Sequence, residues 1–369
     1  MKSDPLDLKS RRLVVCLGAG GVGKTTISAA IAVRTAASGR AVDVMTVDPA
    51  PRLLDALGLN SDSSEPREVA LDSVLNSRSR SAARARLRAL KLDPKGTFDA
   101  IVARNAPSAA ARDAILENRI YRNLANALAG VADYMAMEKL LELADDATTD
   151  MVVLDTPPAA EALDFLDAPR RMLDLLNSRA VSILDIKGGF FGGQMRMFDI
   201  AARTVLSAFD RIANLHILAD VQSFVNSFQG MYDGFAERAE RAQKMLRAKD
   251  TAIVVVTTAE PGRIAQAREF IEGLEAAGLK ASAIVVNRMM SEIPSAAELA
   301  AAKIPAALRA KLKRNLADYA ALKRREYISI KSLREALPEG ARVLAAPEIG
   351  HEPRTIADLA EIGRSLRSH

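Results

Sequence analysis

Cysteine is almost absent from this sequence, and its scarcity excludes two kinds of site. Cys16 is the single cysteine among the 369 residues, so neither an intrachain disulfide nor a multi-cysteine zinc site can form within one chain. It falls in an apolar run, where a lone cysteine is usually a small buried residue. Histidine is scarce too, since His216, His351 and His369 lie far apart and lack the spacing of metal ligands. The sequence therefore predicts no zinc site of the cysteine and histidine type.

Long apolar runs are absent as well. No run approaches the roughly 20 apolar residues that cross a bilayer. The stretch Met1–Arg12 is polar and lacks the apolar segment of a signal peptide. Apolar residues still make up 49% of the chain, which is enough for a sizeable core. We therefore expect a soluble, cytoplasmic protein.

Acidic residues are missing from one part of the chain. The net charge is +5, and six cations occur between Asp72 and Asp93 with no acid among them. Such a stretch can meet anionic lipid, nucleic acid or an acidic partner, but it is more often the solvated face of a helix, which is the interpretation favoured here. No RNA-binding or zinc-finger pattern accompanies it, so we expect no nucleic-acid partner, while peripheral membrane contact stays open. The six cations are Arg78, Arg80, Arg84, Arg86, Arg88 and Lys91.

Six short apolar runs predict the strands of a parallel sheet. They are continuous rather than alternating, as strands covered on both faces require. Helical patterns lie between them, for example at Thr25–Ser38, Pro261–Ala277 and Thr355–Ser368. Strands that alternate with helices indicate an α/β, doubly wound fold. The strand runs are Leu13–Leu17, Ala41–Val47, Met151–Leu154, Ala252–Val256, Ala283–Val286 and Arg342–Ala345.

Two stretches depart from this alternation and predict a second, helical region. They are rich in Ala, Leu, Arg and Met, with helical periodicity and few strand signals. The simplest organisation is one α/β domain, made of residues 1–59, 150–168 and 251–369, and a helical insertion subdomain, made of residues 60–149 and 169–250. Within the second insertion, glycines bracket Phe190 and Phe191 and mark an apolar loop.

A phosphate-binding motif follows the first predicted strand. The segment from Gly18 to Thr25 fits G-x-x-x-x-G-K-[ST] between a strand and a helix, which is the context that this motif requires. Its glycines let backbone N–H groups turn toward phosphates, Lys24 can reach the β and γ oxygens, and the Thr25 hydroxyl can bind Mg²⁺. We therefore expect a P-loop ATPase that binds ATP and Mg²⁺. The residues expected at the phosphates are Gly20, Gly21, Val22, Gly23, Lys24, Thr25 and Thr26.

Acidic residues follow the next two predicted strands, where an α/β sheet places its ligands. Asp48 comes after the second strand and Asp155 after the third. An acid in this position beside a P-loop commonly holds Mg²⁺, so Asp48 and Asp155 join Thr25 as the expected metal residues. Asp55, a turn or two beyond Asp48, is the candidate for orienting the attacking water. An N-cap or turn role is the alternative for these acids.

These motifs together resemble the ArsA-type ATPases, a family that includes arsenite-pump ATPases and ATPases that target tail-anchored membrane proteins. The resemblance rests on GAGGVGKTT, on DPAPRLLDALGL and on DTPP followed by EALDFLDAP, and it extends over nearly the whole chain. Four further segments are similar to a bacterial branch of that family, within the wider class of MinD- and ParA-like dimers. They are Leu92–Asp99, Asn118–Arg122, Tyr134–Lys139 and Gly230–Arg238.

The resemblance implies roles for further residues. It makes Asp48 to Asp55 a first switch, in which Asp55 polarises water, and it makes the segment that opens at Asp155 a second switch that reports the γ-phosphate to the helical subdomain. It also implies that Asn287 reads adenine and that a loop from Pro347 to Arg354 closes over the base. A homodimer or heterodimer with a related ATPase is implied, as is a protein client.

Departures from the family pattern keep several functions open. Ala19 stands where most of the wider class has a lysine that reaches the partner's nucleotide, which favours a regulatory subunit with little turnover. Arsenite-binding cysteines are missing, which disfavours a metalloid pump. The basic stretch leaves a ParA-like DNA-surface ATPase as a further alternative. Methionines in the insertions favour an ATP-gated carrier for an apolar client, although they are equally typical of a helical core.

Overall fold

A computed structural model gives the fold of the protein. It describes residues 6–59, 64–75, 84–118, 121, 129–157, 159–176, 231–290, 293–335, 337 and 340–368. The loop around Phe190 and Phe191 and the cations Arg78 and Arg80 lie outside these residues. Within them, no helix is both long enough and apolar enough to cross a membrane.

A single twisted sheet of nine strands forms the centre of the α/β domain, in the order β3-β4-β2-β5-β1-β6-β7-β8-β9. All pairs are parallel except those of the two edge strands, β3 and β9, with their neighbours. The predicted α/β, doubly wound fold is confirmed. The strands are β1 (Leu13–Gly18), β2 (Ala41–Thr46), β3 (Arg67–Glu68), β4 (Arg86–Lys91), β5 (Met151–Asp155), β6 (Thr251–Thr258), β7 (Ala281–Met289), β8 (Arg342–Pro347) and β9 (Arg367–Ser368).

The central strands are buried along their whole length because helices cover both faces of the sheet. Every residue of β1, β5 and β6 is buried, which is why these strands read as continuous apolar runs. The helices of the described chain are α1 (Lys24–Ala37), α2 (Arg52–Ala56), α3 (Pro94–Asn105), α4 (Ala109–Glu117), α5 (Ala129–Asp145), α6 (Ala159–Leu166), α7 (Ala168–Leu176), α8 (Tyr232–Leu246), α9 (Pro261–Ala276), α10 (Ala296–Ala301), α11 (Ala306–Glu335) and α12 (Ile356–Ser365).

The first and last helices pack closely together on the sheet. A Cβ atom added to Gly363 of α12 would lie 2.6 Å from the Ala30 carbonyl oxygen of α1. Only glycine permits this approach. Thr355 and Asp358 start α12 with a reciprocal capping box, in which each side chain accepts a backbone N–H of the other residue. This pair of helices fixes the C-terminal segment against the helix that follows the phosphate-binding motif.

The chain divides into two compact units. The first holds Met1–Leu92, Glu142–Asp164 and Leu246–His369 and contains the whole sheet, while the second holds Asp93–Leu141 and Phe165–Met245. The elements that the structure describes in the second unit are all helices.

An aromatic cluster forms the core of the second unit. The Phe98 and Tyr121 rings lie 4.9 Å apart, and Phe235 contacts Phe98 and Tyr134 at 6.3 and 6.0 Å. Each of these rings comes from one of the four segments quoted above for their resemblance to a bacterial branch. The four segments that carry this sequence similarity therefore each contribute one ring to the same packed core.

A buried ion pair lies beside this cluster. The Arg238 Nε atom donates to Glu138 Oε1 at 2.9 Å and to Oε2 at 2.8 Å, and the Glu138 side chain is only 4% exposed. Tyr134 donates its hydroxyl to Glu138 at 2.6 Å, and burial together with the Glu138 charge raises the pKa of Tyr134. Arg238 also lies over the Phe235 ring. The pair thus ties α8 to α5 inside one unit.

The sequence prediction is wrong for residues 67–68 and 86–91. They were expected in the helical insertion, but they form β3 and β4 at one edge of the sheet, so the sheet unit extends to Leu92 rather than to residue 59. The favoured helical interpretation of the basic stretch is also wrong for Arg86–Lys91. Leu87, Ala89 and Leu90 are buried in the core, and Arg88 reaches Asp43 on β2. Over residues 86–89 the cations alternate with buried apolar residues, as in a strand.

Candidate functional site

The phosphate-binding loop connects β1 to α1 at the carboxyl edge of the sheet. Gly21 and Gly23 have positive φ angles of 81° and 85°, and Gly23 is the N-cap of α1. A Cβ atom on Gly18 would lie 2.3 Å from the carbonyl oxygen of Val256 on β6. These glycines are therefore required by backbone conformation and by close packing. The loop leads into the N-terminus of a 14-residue helix, where backbone N–H groups and the helix dipole favour an anion such as phosphate.

Asp155 is the centre of a buried group of hydroxyls beside this loop. Its Oδ2 atom accepts from the Thr25 hydroxyl at 2.9 Å and from the Thr46 hydroxyl at 3.1 Å, and its Oδ1 accepts from the Ser28 hydroxyl at 3.2 Å. The Asp155 side chain is 0% exposed. The sheet register brings these groups together, since Asp155 pairs with Cys16 on one side and with Thr46 on the other.

The charge on Asp155 is set by opposing effects. Burial raises the pKa of Asp155 above the ordinary aspartate value, and the Lys24 charge and the three hydroxyls lower it without cancelling the rise. Lys24 itself is only 9% exposed. The neighbouring Cys16 is fully buried, and burial raises the pKa of its thiol to about 12. A cation bound close to Asp155 would therefore stabilise the ionised form of this buried carboxylate.

The groups around Asp155 fit a hard divalent cation. They are carboxylate and hydroxyl oxygens, which Mg²⁺ prefers, and Mg²⁺ usually takes only one or two carboxylates and completes its shell with water and phosphate oxygens. In the described part of the chain, no group of three or more His, Cys, Asp or Glu residues could hold a metal without such help. The Thr25 hydroxyl and Asp155 are the groups that would hold Mg²⁺ next to a nucleotide.

Asp48 lies at the end of β2 and is linked to the same group. Its backbone N–H donates to the Thr46 hydroxyl at 3.2 Å, and its Oδ1 accepts from the Ala50 N–H at 2.9 Å, which forms an Asx turn. Arg52 lies 3.9 Å from Asp48 and is 72% exposed. Asp55 is exposed on α2, outside the hydrogen-bonded group around Asp155. The structure therefore brings Thr25 and Asp155 into direct contact. Asp48 is linked to Asp155 through the Thr46 hydroxyl, and Asp55 lies outside this hydrogen-bonded group.

Asn287 contacts the phosphate-binding loop directly. Its Nδ2 donates to the Val22 carbonyl oxygen at 2.9 Å, and the side chain is 7% exposed. A Cβ atom on Gly23 would lie 2.2 Å from the same Nδ2, so the glycine leaves room for this amide. Pro347 ends the neighbouring strand β8 and pairs with Met289 of β7. The two residues lie on adjacent strand ends, and their role at adenine stays a prediction.

Sequence reasoning did not identify Ser28 and Thr46 as site residues. Ser28 donates to Asp155 and also to the Lys24 carbonyl oxygen at 3.0 Å. Its position three residues after Thr25 places it on the same face of α1. Thr46 is the last residue of β2, at the strand end where ligands gather. The position of Ser28 on the Thr25 face of α1 and the position of Thr46 at a strand end are the features of the sequence that indicate these two residues.

Comparisons with known proteins agree on one family. The family model described as "Anion-transporting ATPase", ArsA_ATPase, matches residues 11–307. "ATPase get3" of Aspergillus terreus is 30% identical over 197 residues, which cover 50% of this chain and 54% of that protein. "ATPase GET3" of Pyricularia oryzae is 29% identical over 195 residues, which cover 51% and 53%. The chain thus matches about half the length of these relatives. Both are fungal, so the bacterial branch stays a prediction.

Proposed function

Because this chain belongs to the ArsA family of anion-transporting ATPases, we propose that it binds ATP at the loop from Gly18 to Thr26 and hydrolyses it to ADP and phosphate. The observation that carries the proposal is the hydrogen bond from Thr25 to the buried Asp155, next to Lys24 and the N-terminus of α1. A P-loop needs this combination of a hydroxyl, an acid at a strand end and a lysine.

Positioning and electrostatics are the proposed sources of catalysis. Backbone N–H groups of the loop and the positive end of α1 bind the β and γ phosphates, and Lys24 stabilises the charge that develops on the γ-phosphate. Mg²⁺, held by Thr25 and Asp155, would neutralise phosphate charge when bound. Asp48 is the further metal residue in this proposal, acting through water.

Asp55 has the proposed role of orienting the attacking water. Its carboxylate is exposed on the short helix α2, four residues after Pro51, whose carbonyl accepts the Asp55 N–H at 2.9 Å. The role requires the carboxylate to come within hydrogen-bond reach of that water. The residues from Asp48 to Asp55 thereby act as a first switch, which responds to the γ-phosphate.

The energy of ATP is proposed to gate the binding of a protein client by the second unit. The segment that opens at Asp155 continues through α6 into that unit, so it is placed in sequence to pass on a change at the phosphate. The proposed client is hydrophobic or a membrane protein, and the proposed assembly is a homodimer or a heterodimer with a related ATPase in the cytoplasm.

A second candidate function is that of a regulatory ATP-binding subunit with little turnover. The observation that favours it is Ala19, which lies within the phosphate-binding loop, packs against the apolar core and offers no charge. In this case a related partner supplies the missing cation.

Nucleotide binding and client capture test the proposal in turn. We expect a fluorescent ATP analogue to bind the pure protein with Mg²⁺, and Lys24→Ala to weaken that binding by at least about tenfold through loss of a charged phosphate contact. Lys303→Ala, an exposed lysine of the same unit, is the matched control and should bind as the unaltered protein does. Equal binding by both variants would remove the P-loop assignment.

The gating step has its own test. A labelled hydrophobic helix peptide should bind differently in the presence of ATP, of ADP and of no nucleotide. Peptide affinity that is the same with ATP, with ADP and without nucleotide would refute gating. It would not affect the proposal of ATP binding, so the two parts of the proposal can fail separately.

A further inference from the structure

The long helix α11 carries an apolar stripe that is buried at one end and exposed along the rest. Ile330 and Leu333, near the C-terminal end, are 1% and 0% exposed. Farther toward the N-terminus, Leu308, Tyr319 and Leu322 are 45%, 50% and 46% exposed. With about 3.6 residues per turn, all five side chains fall on one face of the helix. The same face also carries Asn315 and Glu326, so the exposed apolar stripe runs from Leu308 to Leu322 with one polar interruption, and Glu326 separates it from the buried end.

The position of α11 is fixed, so the exposed stripe belongs to an ordered surface. The helix packs against α9 and α10. Glu326 accepts the backbone N–H of Met290, just past the end of β7, at 3.2 Å. Arg309 donates to the Ala302 carbonyl oxygen at 2.8 Å. Contacts at both ends of the stripe hold it in place.

Basic residues line both sides of the exposed stripe. From Leu308 to Arg325 the sequence of α11 contains seven lysines or arginines and a single acid, Asp318. At about 100° per residue, Arg309 and Lys323 fall on one flank of the stripe, and Lys311 and Arg325 fall on the other with Asp318 between them. Lys313 and Arg324 fall on the opposite face of the helix. An apolar stripe whose flanks are mainly of one charge sign is typical of a helix that pairs with a partner of opposite sign.

We propose that the exposed stripe of α11 is a docking surface for an acidic amphipathic helix of a partner protein. The stripe has the narrow width and the three- and four-residue spacing of helix-on-helix packing, and its flanks offer positive charge to glutamates or aspartates of the incoming helix. The family match ends at residue 307, so nearly all of α11 lies beyond it. The exposed stripe lies outside the phosphate-binding loop and the group around Asp155, and the proposal does not depend on the proposed function.

Two other occupants fit the observations less well. A second copy of α11 would bring the same cations onto both flanks, and like charges across a helix pair are destabilising. A flat bilayer fits less well, because the same face of α11 is covered by protein about two turns later, at Ile330 and Leu333, and the bilayer would have to stop short of that protein. A rod-like acidic helix meets neither obstacle.

Binding of designed peptides to the full chain tests this proposal. The probe is a labelled peptide of about four heptads, with leucine at the core positions and glutamate on the flanks, and the control peptide has lysine in place of each glutamate. We expect the glutamate peptide to bind at least about tenfold more tightly than the lysine peptide in fluorescence anisotropy, and to weaken as salt is added.

Variants of the helix complete the test. Tyr319→Ser combined with Leu322→Ser should weaken glutamate-peptide binding by at least about tenfold. Ile328→Ser, which alters a residue 60% exposed on the opposite side of α11, should leave it unchanged, and neither change should lower the unfolding temperature. Equal binding of both peptides, or equal effects of the two variants, would overturn the proposal.

Other outcomes would overturn the proposal by identifying another occupant. Doubling of the mass in light scattering, reversed by Tyr319→Ser with Leu322→Ser, would point to a second copy. Phosphatidylserine vesicles that bind the protein through the same two residues, without peptide binding, would point to a membrane. A loss of stability in that variant alone would show that the chain itself covers the stripe.

Discussion

Asp155 shows how one buried residue joins stability to function. Its carboxylate lies wholly inside the protein with three hydroxyl donors and Lys24 nearby, and burial still raises its pKa above the ordinary value. A carboxylate with a raised pKa lowers the stability of the folded state when it is ionised. Residues that bind a cation commonly carry such a cost, since the site is arranged for the ligand rather than for the free protein.

We predict that Asp155→Asn stabilises the protein while it abolishes ATP turnover. The neutral amide avoids the cost of burying a charge, and the gain should be on the order of 1 kcal/mol at pH 7. Because the pKa of Asp155 is raised in the folded state, the contribution of this residue to the free energy of unfolding is fully present below its unfolded pKa of about 3.9. That contribution is lost as the pH rises through the folded pKa. The variant lacks this loss.

Thermal unfolding between pH 4 and pH 8 measures this difference. The advantage of Asp155→Asn should grow as the pH rises, whereas Asp48→Asn, a change at a half-buried carboxylate at the end of β2, should show a smaller change. A variant less stable than the unaltered protein at pH 7 would contradict this account of the buried charge.

At this scale the sequence predicted the residues that belong to a motif and missed those that a fold brings together. Thr25 and Asp155 follow from the P-loop and from a strand end, and they do meet. Ser28 and Thr46 have no motif, because a hydroxyl is common in any helix or strand. Thr46 reaches Asp155 only through the pairing of β2 with β5, and the sequence alone does not specify that register.

Strand β4 was not predicted, because its positive charge favoured the interpretation as a solvated helix face. Its sequence, RLRALK, is basic, but Arg88 donates to both carboxylate oxygens of Asp43 at 2.7 and 2.6 Å and to Asp146 at 2.8 Å. The Asp43 side chain is 0% exposed. The Thr148 hydroxyl, together with Arg88, keeps the pKa of Asp146 well below its usual range. The partners of this arginine lie far away in sequence, so only the structure shows them.

Arg88→Met should destabilise the sheet unit strongly. Removal of one partner leaves the buried Asp43 with an uncompensated charge, which costs about 3–5 kcal/mol. Arg86→Met, which removes a partly exposed arginine that donates to the Thr148 carbonyl at 2.6 Å, is the matched control on the same strand and should cost less than half as much. Denaturant unfolding measures both, and equal losses would show that the Asp43 contact is not what holds β4.

The ion pair of the second unit leads to a similar prediction. Arg238→Met leaves Glu138 buried and unpaired, so we expect a loss of about 3–5 kcal/mol. Tyr134→Phe removes one hydroxyl donor to the same carboxylate and should cost only about 1–2 kcal/mol. Hydrogen exchange in α5 and α8 reports the change within this unit. Protection that stays at the level of the unaltered protein in Arg238→Met would contradict the importance of this pair.

The whole molecule combines a sheet unit and a helical unit, and the sequence predicted that division better than its boundary. The six apolar runs all became strands, because central parallel strands need continuous apolar sequence. The edge strand β3 and its neighbour β4 lacked that signal, since strands near the edge of a sheet tolerate charge. Membership of the ArsA family agrees with the motifs.

Phosphate release from ATP is the measurement that tests the central proposal most directly. It should be made on the pure protein and on Asp55→Asn, with equilibrium ATP binding recorded for both. We predict that the unaltered protein turns over ATP with Mg²⁺, while Asp55→Asn binds ATP normally and loses at least about a hundredfold in turnover, because a group that orients or activates the nucleophile contributes on that scale. An unaltered protein that binds ATP and releases no phosphate, or a variant that turns over at the unaltered rate, would contradict it.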